Sequence, residues 1–196
     1  ALALTTLRQG RSTYSGVELR AEPSRQSKRI YAFGQDEIMN IGGVVNGDLG
    51  YGNPFNSAWY LVNGEGFVYS GAIQPVDTVH HKPVLDIPAS GALAEITVPY
   101  SDTRRNSSVL ADRGYRTYYS TTHWVTRCIV NRAEKGFWYQ IYDRQSREVL
   151  YVPAHDMRII PNEELTLLSA NVPEEEKRIY VDLADQFVVA FEGEMP

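Results

Sequence analysis

Apolar residues alternate with polar ones in short runs along much of this 196-residue chain, and Gly, Pro, Asn and Asp gather between the runs. That pattern predicts half-buried strands joined by tight turns. The first dense block runs from about Thr13 to Val76. Within it, Val17–Ser24 (VELRAEPS) reads as a strand ended by a proline, and Arg29–Val45 as two apolar runs split by a Gly-Gln-Asp turn. Gly47–Ser57 (GDLGYGNPFNS) is longer than a hairpin needs, and such loops tend to carry function or to move. Ala58–Val76 closes the block, with Asn63-Gly64 as a strong hairpin signal. Five short strands without helical periodicity describe a small barrel or sandwich.

A second block, from about Glu95 to Pro161, repeats this logic. Phe137–Pro161 lines up with Ala58–Val76: Trp138-Tyr139 falls on Trp59-Tyr60, Tyr151 on Tyr69, and Met157 near Ile73. Upstream, Ile96–Thr103 takes the place of Val17–Ser24, and Tyr115–Asn131 that of the paired runs. The expected organisation is a domain over 1–78, a Pro- and His-bearing linker over 79–94, a related domain over 95–163 and an acidic connector over 164–178. A closing hairpin over 179–196 follows, in which Ile179, Val181, Leu183, Phe187, Val189 and Phe191 alternate before a Glu-Gly-Glu turn.

Composition sharpens the class. Thirteen Tyr, ten Pro and fifteen Gly favour short strands and frequent turns over long helices. A net charge of −5 argues against wrapping a polyanion, and Arg104-Arg105 is too small a cluster to reverse that. One cysteine excludes an intrachain disulfide framework and a multi-thiolate metal site. No run approaches the roughly 20 apolar residues that span a bilayer. The chain opens on Ala1 rather than Met, as a trimmed or processed product would, so the lack of an export signal or anchor here says nothing about location.

At VELRAEPSRQSKRIYAFGQDEIMNI the chain resembles bacterial SH3-like domains, through Val17, Leu19, Arg20, Pro23, Ser24, Asp36-Glu37, Trp59-Tyr60 and Gly66-Phe67-Val68. The second block departs from that pattern, since Pro99-Tyr100-Ser101 stands where the Arg and Pro-Ser would be. The closing KRIYVDLADQFVVAFEGEMP is similar to the opening of an L,D-transpeptidase catalytic domain, through Arg178, Ile179, Val181, Asp182, Leu183, Gln186, Phe191, Glu192 and Gly193. The resemblance implies an all-β architecture of two small SH3-like barrels, a linker and a C-terminal β-hairpin extension. It implies that the hairpin begins a domain whose remainder lies downstream, and that the partners are peptidoglycan or its stem peptides and an intramolecular catalytic domain.

The family chemistry, acyl transfer through a cysteine, needs a thiolate and an activating His. The family's Ser/Thr-His-Gly-Cys motif is absent. The one thiol, Cys128, sits in a predicted strand with His123 five residues away, which puts the two on opposite faces unless a bulge intervenes. Cys128 therefore reads as a small buried hydrophobe. His80-His81 reads as an exposed polar pair, with metal ligation as the rival, and His155 as a turn residue. No cofactor and no metal are expected, and the chain is expected to be non-catalytic.

The aromatic residues are the candidates for recognition. Tyr51, Phe55, Trp59, Tyr60 and Tyr69 can line a groove beside the long loop, as in domains that hold extended peptides, and Tyr118, Trp138 and Tyr139 are their counterparts in the second block. The competing reading is that these large side chains fill the barrels. Two functional classes follow: a wall-binding segment that positions a catalytic domain, or an adaptor that binds extended peptides. Barrels acting as spacers are a third.

Overall fold

The computed structural model describes residues 8–50, 55–143, 146–165 and 169–193. The chain is all-β. Its first sheet has seven strands: β1 (Arg8–Ser12), β2 (Val17–Arg20), β3 (Arg29–Phe33), β4 (Ile38–Asn46), β5 (Ala58–Val62), β6 (Gly66–Tyr69) and β7 (Ile73–Val76), in the order β3-β2-β6-β5-β4-β1-β7. A second sheet is built from β8 (Ala92–Ile96), β9 (Tyr100–Arg104), β10 (Arg113–Tyr118), β11 (Thr122–Asn131), β12 (Gly136–Asp143), β13 (Glu148–Pro153) and β14 (Met157–Ile159). Its order, β10-β9-β13-β12-β11-β8-β14, repeats the first strand for strand. Residues through Ile159 form one compact unit and those from Ile160 onward another.

Each sheet curls. Ser12 on β1 donates its hydroxyl to the carbonyl of Gly34, just after β3, although β1 and β3 stand five spacings apart in the order, about 24 Å in a flat sheet. Bulges supply part of the bend. One interrupts the β4–β5 register between Ile41 and Gly43, and its counterpart lies between Val125 and Arg127 on β11. The enclosed faces hold separate cores: Val17, Leu19, Phe33, Met39, Ile41, Val62, Val68 and Ile73 in the first sheet, and Ile96, Val98, Val125, Tyr139, Ile141, Leu150, Val152 and Met157 in the second.

Hydrogen bonds fix how the two repeats correspond. Arg20 donates to the carbonyl of Ser27 at 2.6 Å, and Arg104 to that of Ala111 at 3.0 Å. Asp36 and Ser120 occupy matching left-handed turns, with φ of 62° each. Ser101–Arg104 therefore matches Val17–Arg20, a correction to the alignment of Ile96–Thr103 with Val17–Ser24, and Arg104 supplies the arginine that the second block was expected to lack. The β12–β13 register sets Pro153 opposite Trp138, as Tyr69 is set opposite Trp59, so Tyr151 is not the counterpart of Tyr69. Met157 follows the same turn as Ile73, as expected.

The first strand was not foreseen. Arg8–Ser12 has no apolar residue, yet Gly10, Arg11 and Ser12 are all buried. A Cβ on Gly10 would stand 2.6 Å from Ile73, so the bare backbone is what lets β1 lie against β7. Arg11 is satisfied by Gln74 at 2.7 Å, by Asp36, and by the face of Tyr118 at 4.2 Å. A polar seam thus joins the sheets. Arg116 donates to Asp36 at 2.8 Å and to Asp102 at 2.8 Å while lying 4.0 Å over Tyr100, and Gln74 donates to the carbonyl of Tyr119 at 3.3 Å.

The segment between the sheets is pinned along the second one. Val79 donates to Thr97, His81 to the carbonyl of His155, and the amide of Val84 to the Tyr139 hydroxyl at 2.7 Å. Strand β8 begins at Ala92, inside the stretch expected to be linker.

The C-terminal unit holds β15 (Lys177–Asp182) and β16 (Phe187–Glu192), paired antiparallel as a two-stranded sheet. Asp182 caps the turn by accepting from the amides of Ala184 and Asp185 at 2.9 Å. Ile179, Tyr180, Val181, Leu183, Phe187 and Val188 are exposed.

Candidate functional site

The site begins with the loop after β2. Ala21 donates to the carbonyl of Lys28 at 2.9 Å and closes it. The hydroxyl of Ser24 and the amide of Arg25 both donate to Asp48, at 2.7 and 2.9 Å, which ties it to the loop after β4. The hydroxyl first, and then the amide, hold the Asp48 carboxyl below the usual carboxylate range. Gly47 is required at this crossing, because a Cβ there would stand 2.0 Å from the Pro23 carbonyl. The second sheet repeats the arrangement: Ser108 and the amide of Val109 donate to Glu134.

Under the tied loops lies Trp59, whose Nε1 donates to the Asp48 carbonyl at 2.8 Å and whose ring meets Tyr69 edge-on at 5.9 Å. Beside this pair opens a cavity of about 330 Å3, lined among others by Tyr14, Glu18, Arg20, Arg25, Trp59 and Tyr69. That volume lies at the small end of ligand pockets. Tyr14 is 54% exposed. The Tyr69 hydroxyl is buried and has no hydrogen-bond partner among the described residues, a condition that ordinarily costs about 1–3 kcal/mol.

The expected groove residues divide. Trp59 and Tyr69 meet at this cavity. Phe55 is 95% exposed on the loop before β5, and Tyr51 lies outside the described residues. Tyr60 packs against the first core. In the second sheet Trp138 and Tyr139 are buried, Tyr139 within the core, while Tyr118 belongs to the seam, where Arg11 stacks on it. Tyr14, Glu18 and Arg25 were missed. Tyr14 stands in a polar turn, outside any alternating run, so periodicity could not single it out.

The lining of the cleft changes between the two sheets. Thr13 donates through both amide and hydroxyl to the carbonyl of Ala72, and Thr97 does the same to that of Asp156. Through this match Val98 stands for Tyr14, Tyr100 for Gly16, Pro153 for Tyr69 and Asp156 for Ala72. Two of the three aromatic side chains of the first cleft, Tyr14 and Tyr69, are thus replaced in the second sheet, while Trp138 keeps the place of Trp59.

The thiol is accounted for differently from expectation. The bulge after Val125 sets Val125 opposite Ile141 and Cys128 opposite Tyr139, so Cys128 shares the inward face with Val125 and hence with His123, which corrects the placement on opposite faces. The two remain roughly 13 Å apart, four rungs of a strand that rises about 3.3 Å per residue. Burial pushes the Cys128 thiol up and the His123 imidazole down. His123 instead meets the Thr121 hydroxyl at 3.1 Å and the ring of Tyr115. Among the described residues no base lies within hydrogen-bond reach of this thiol, and its burial favours the neutral form over the thiolate that acts as a nucleophile. His80 and His155 were read as unrelated surface groups, but their rings lie 4.9 Å apart.

Fold and geometry together define a duplicated all-β protein with an aromatic cleft on its first sheet. No protein-family model matches the chain, and no curated protein matches it.

Proposed function

We propose that this chain is a non-catalytic recognition segment of an exported cell-wall protein, in which two SH3-like barrels position an L,D-transpeptidase-type catalytic domain on peptidoglycan. The first barrel holds an extended stem peptide in the Tyr14–Trp59–Tyr69 cleft. One observation carries the reading: the first of two copies of the same architecture gathers Tyr14, Trp59 and Tyr69 around a cavity, with Tyr14 exposed and the Tyr69 hydroxyl without a hydrogen-bond partner among the described residues, whereas Val98 and Pro153 take the places of Tyr14 and Tyr69 in the second. Extended peptides dock between aromatic ridges of this kind, where little side-chain entropy is lost. Glu18 and Arg25 at the same cavity suit a stem peptide, which carries both an amine and carboxylates.

The resemblance of Val17–Ser24 and Trp59–Val68 to bacterial SH3-like domains supports the barrel assignment, and that of Arg178–Gly193 to a transpeptidase opening supports the parent activity. The half-buried Cys128, with no base in hydrogen-bond reach among the described residues, supports a non-catalytic role for this segment. Mapping amide shifts on adding a synthetic stem pentapeptide tests the reading. Shifts concentrated at Tyr14, Glu18, Arg25 and Tyr69 are expected. A spectrum unchanged at millimolar peptide contradicts it, and a response only to unrelated extended peptides favours an adaptor.

A further inference from the structure

We propose that His80, His155 and Asp156 form a binding site for a divalent transition-metal ion, zinc in particular, which clips the segment between the sheets onto the second sheet. His155 and Asp156 sit in the short 3-10 turn Ala154–Asp156 that joins β13 to β14, and His80 comes from the segment that runs past it. His80 Nδ1 lies 3.3 Å from Asp156 Oδ1, and His155 Nε2 lies 3.2 Å from the same oxygen. One potential ligand atom from each residue falls within 4.8 Å of the others.

These spacings match the chemistry. Zinc bound tetrahedrally at about 2.0–2.1 Å sets its ligand atoms about 3.3 Å apart. Two of the three edges of such a site are already at that length. Two imidazoles and one carboxylate suit zinc and its transition-metal neighbours, whereas calcium and magnesium prefer all-oxygen shells. With three protein ligands, the fourth position falls to water.

The carboxylate is held for the purpose. Its other oxygen, Oδ2, accepts from the Ser101 hydroxyl at 2.6 Å, which leaves Oδ1 facing the two rings. Outer contacts of this kind orient a metal ligand and are ordinarily part of its affinity. The backbone is fixed as well, because Thr97 donates to the Asp156 carbonyl and His81 to that of His155. Comparison with the first sheet shows that the fold does not require this pair. There the matching positions are Val17 and Ala72, both buried and apolar. The second sheet has a mostly buried carboxylate and its hydroxyl partner where the first has two hydrophobes, and both histidines stand beside that carboxylate, more than half exposed and open to an arriving ion.

Titration calorimetry of zinc chloride into the untagged intact chain tests the site. One equivalent is expected to bind, with affinity at least tenfold weaker in His80→Ala and in His155→Ala. Both residues are exposed, so neither change opens the core. Ser101→Ala, which leaves every ligand in place, is expected to weaken binding by about 10–100-fold. Zinc should also raise the melting temperature of the unmodified chain and leave that of His80→Ala unmoved. No binding up to millimolar zinc, or unchanged affinity in the His80→Ala/His155→Ala double variant, overturns the proposal.

Discussion

Arg116 of the second sheet donates from Nη1 to Oδ2 of Asp36 in the first at 2.8 Å, and its remaining nitrogens are taken by Asp102. Asp36 also receives Arg11 from its own sheet. One carboxylate, only 9% exposed, thus collects two guanidinium groups from different repeats. The two sheets have separate cores, so this polar seam, with Tyr118 stacked under Arg11, links one repeat to the other.

Asp36→Asn isolates that contribution, because asparagine tolerates the left-handed φ of 62° at this position. It removes the charge and keeps one acceptor. We expect a loss of about 1.5–3 kcal/mol, the range for hydrogen bonds to charged groups, read as a lower urea midpoint. The same change in an Arg116→Met background should cost less.

Acid should weaken the fold through depressed carboxylates. The Arg116 hydrogen bond holds Asp102 below its ordinary value, and Ser24 does the same for Asp48. Between the ordinary carboxylate value near 4 and these lower native values, the unfolded chain binds more protons than the folded one. This stabilisation is therefore full above about pH 4 and is lost as pH falls through the native values. Melting temperatures from pH 7 to pH 2 should drop in that window, and less steeply for Asp102→Asn.

Cys128 should behave as an inert thiol. Burial raises its pKa, and no base stands within hydrogen-bond reach among the described residues. Labelling with a thiol reagent at neutral pH is expected to be at least tenfold slower in the native chain than in urea. Cys128→Ala should stay folded and keep whatever peptide binding the unmodified chain shows.

The hairpin of β15 and β16 pairs with no other strand among the described residues and exposes six large apolar side chains. Two-stranded hairpins are marginally stable in water. Amide exchange at Ile179–Asp182 and Phe187–Phe191 should therefore run orders of magnitude faster than in β5 or β12, each hydrogen-bonded on both edges.

Alternation exposed most strands of both sheets, and the Trp-Tyr pairs exposed the duplication, because inward apolar positions leave a period of two. Strand β1 escaped because its buried positions are glycine, arginine and serine, made compatible with burial by Ile73, Asp36 and Gln74 from far along the chain. The slip between Ile96–Thr103 and Ser101–Arg104 has a similar origin. Val17 and Leu19 are replaced by Ser101 and Thr103, both buried and hydrogen-bonded, so hydrophobic pattern no longer marked the strand. The bulge beside Val125 inverted the facing of Cys128, and no residue there announces a bulge. His80 and His155 meet through a tertiary approach that spacing alone does not encode.

Wall recognition through the first sheet is tested most directly by co-sedimentation of the intact chain with purified peptidoglycan sacculi at about 0.15 M salt, where surface charges beyond roughly 8 Å are screened. The account predicts enrichment in the pellet that added stem peptide reverses and Tyr14→Ala reduces. A chain that stays in the supernatant at this ionic strength and at tenfold lower salt contradicts it.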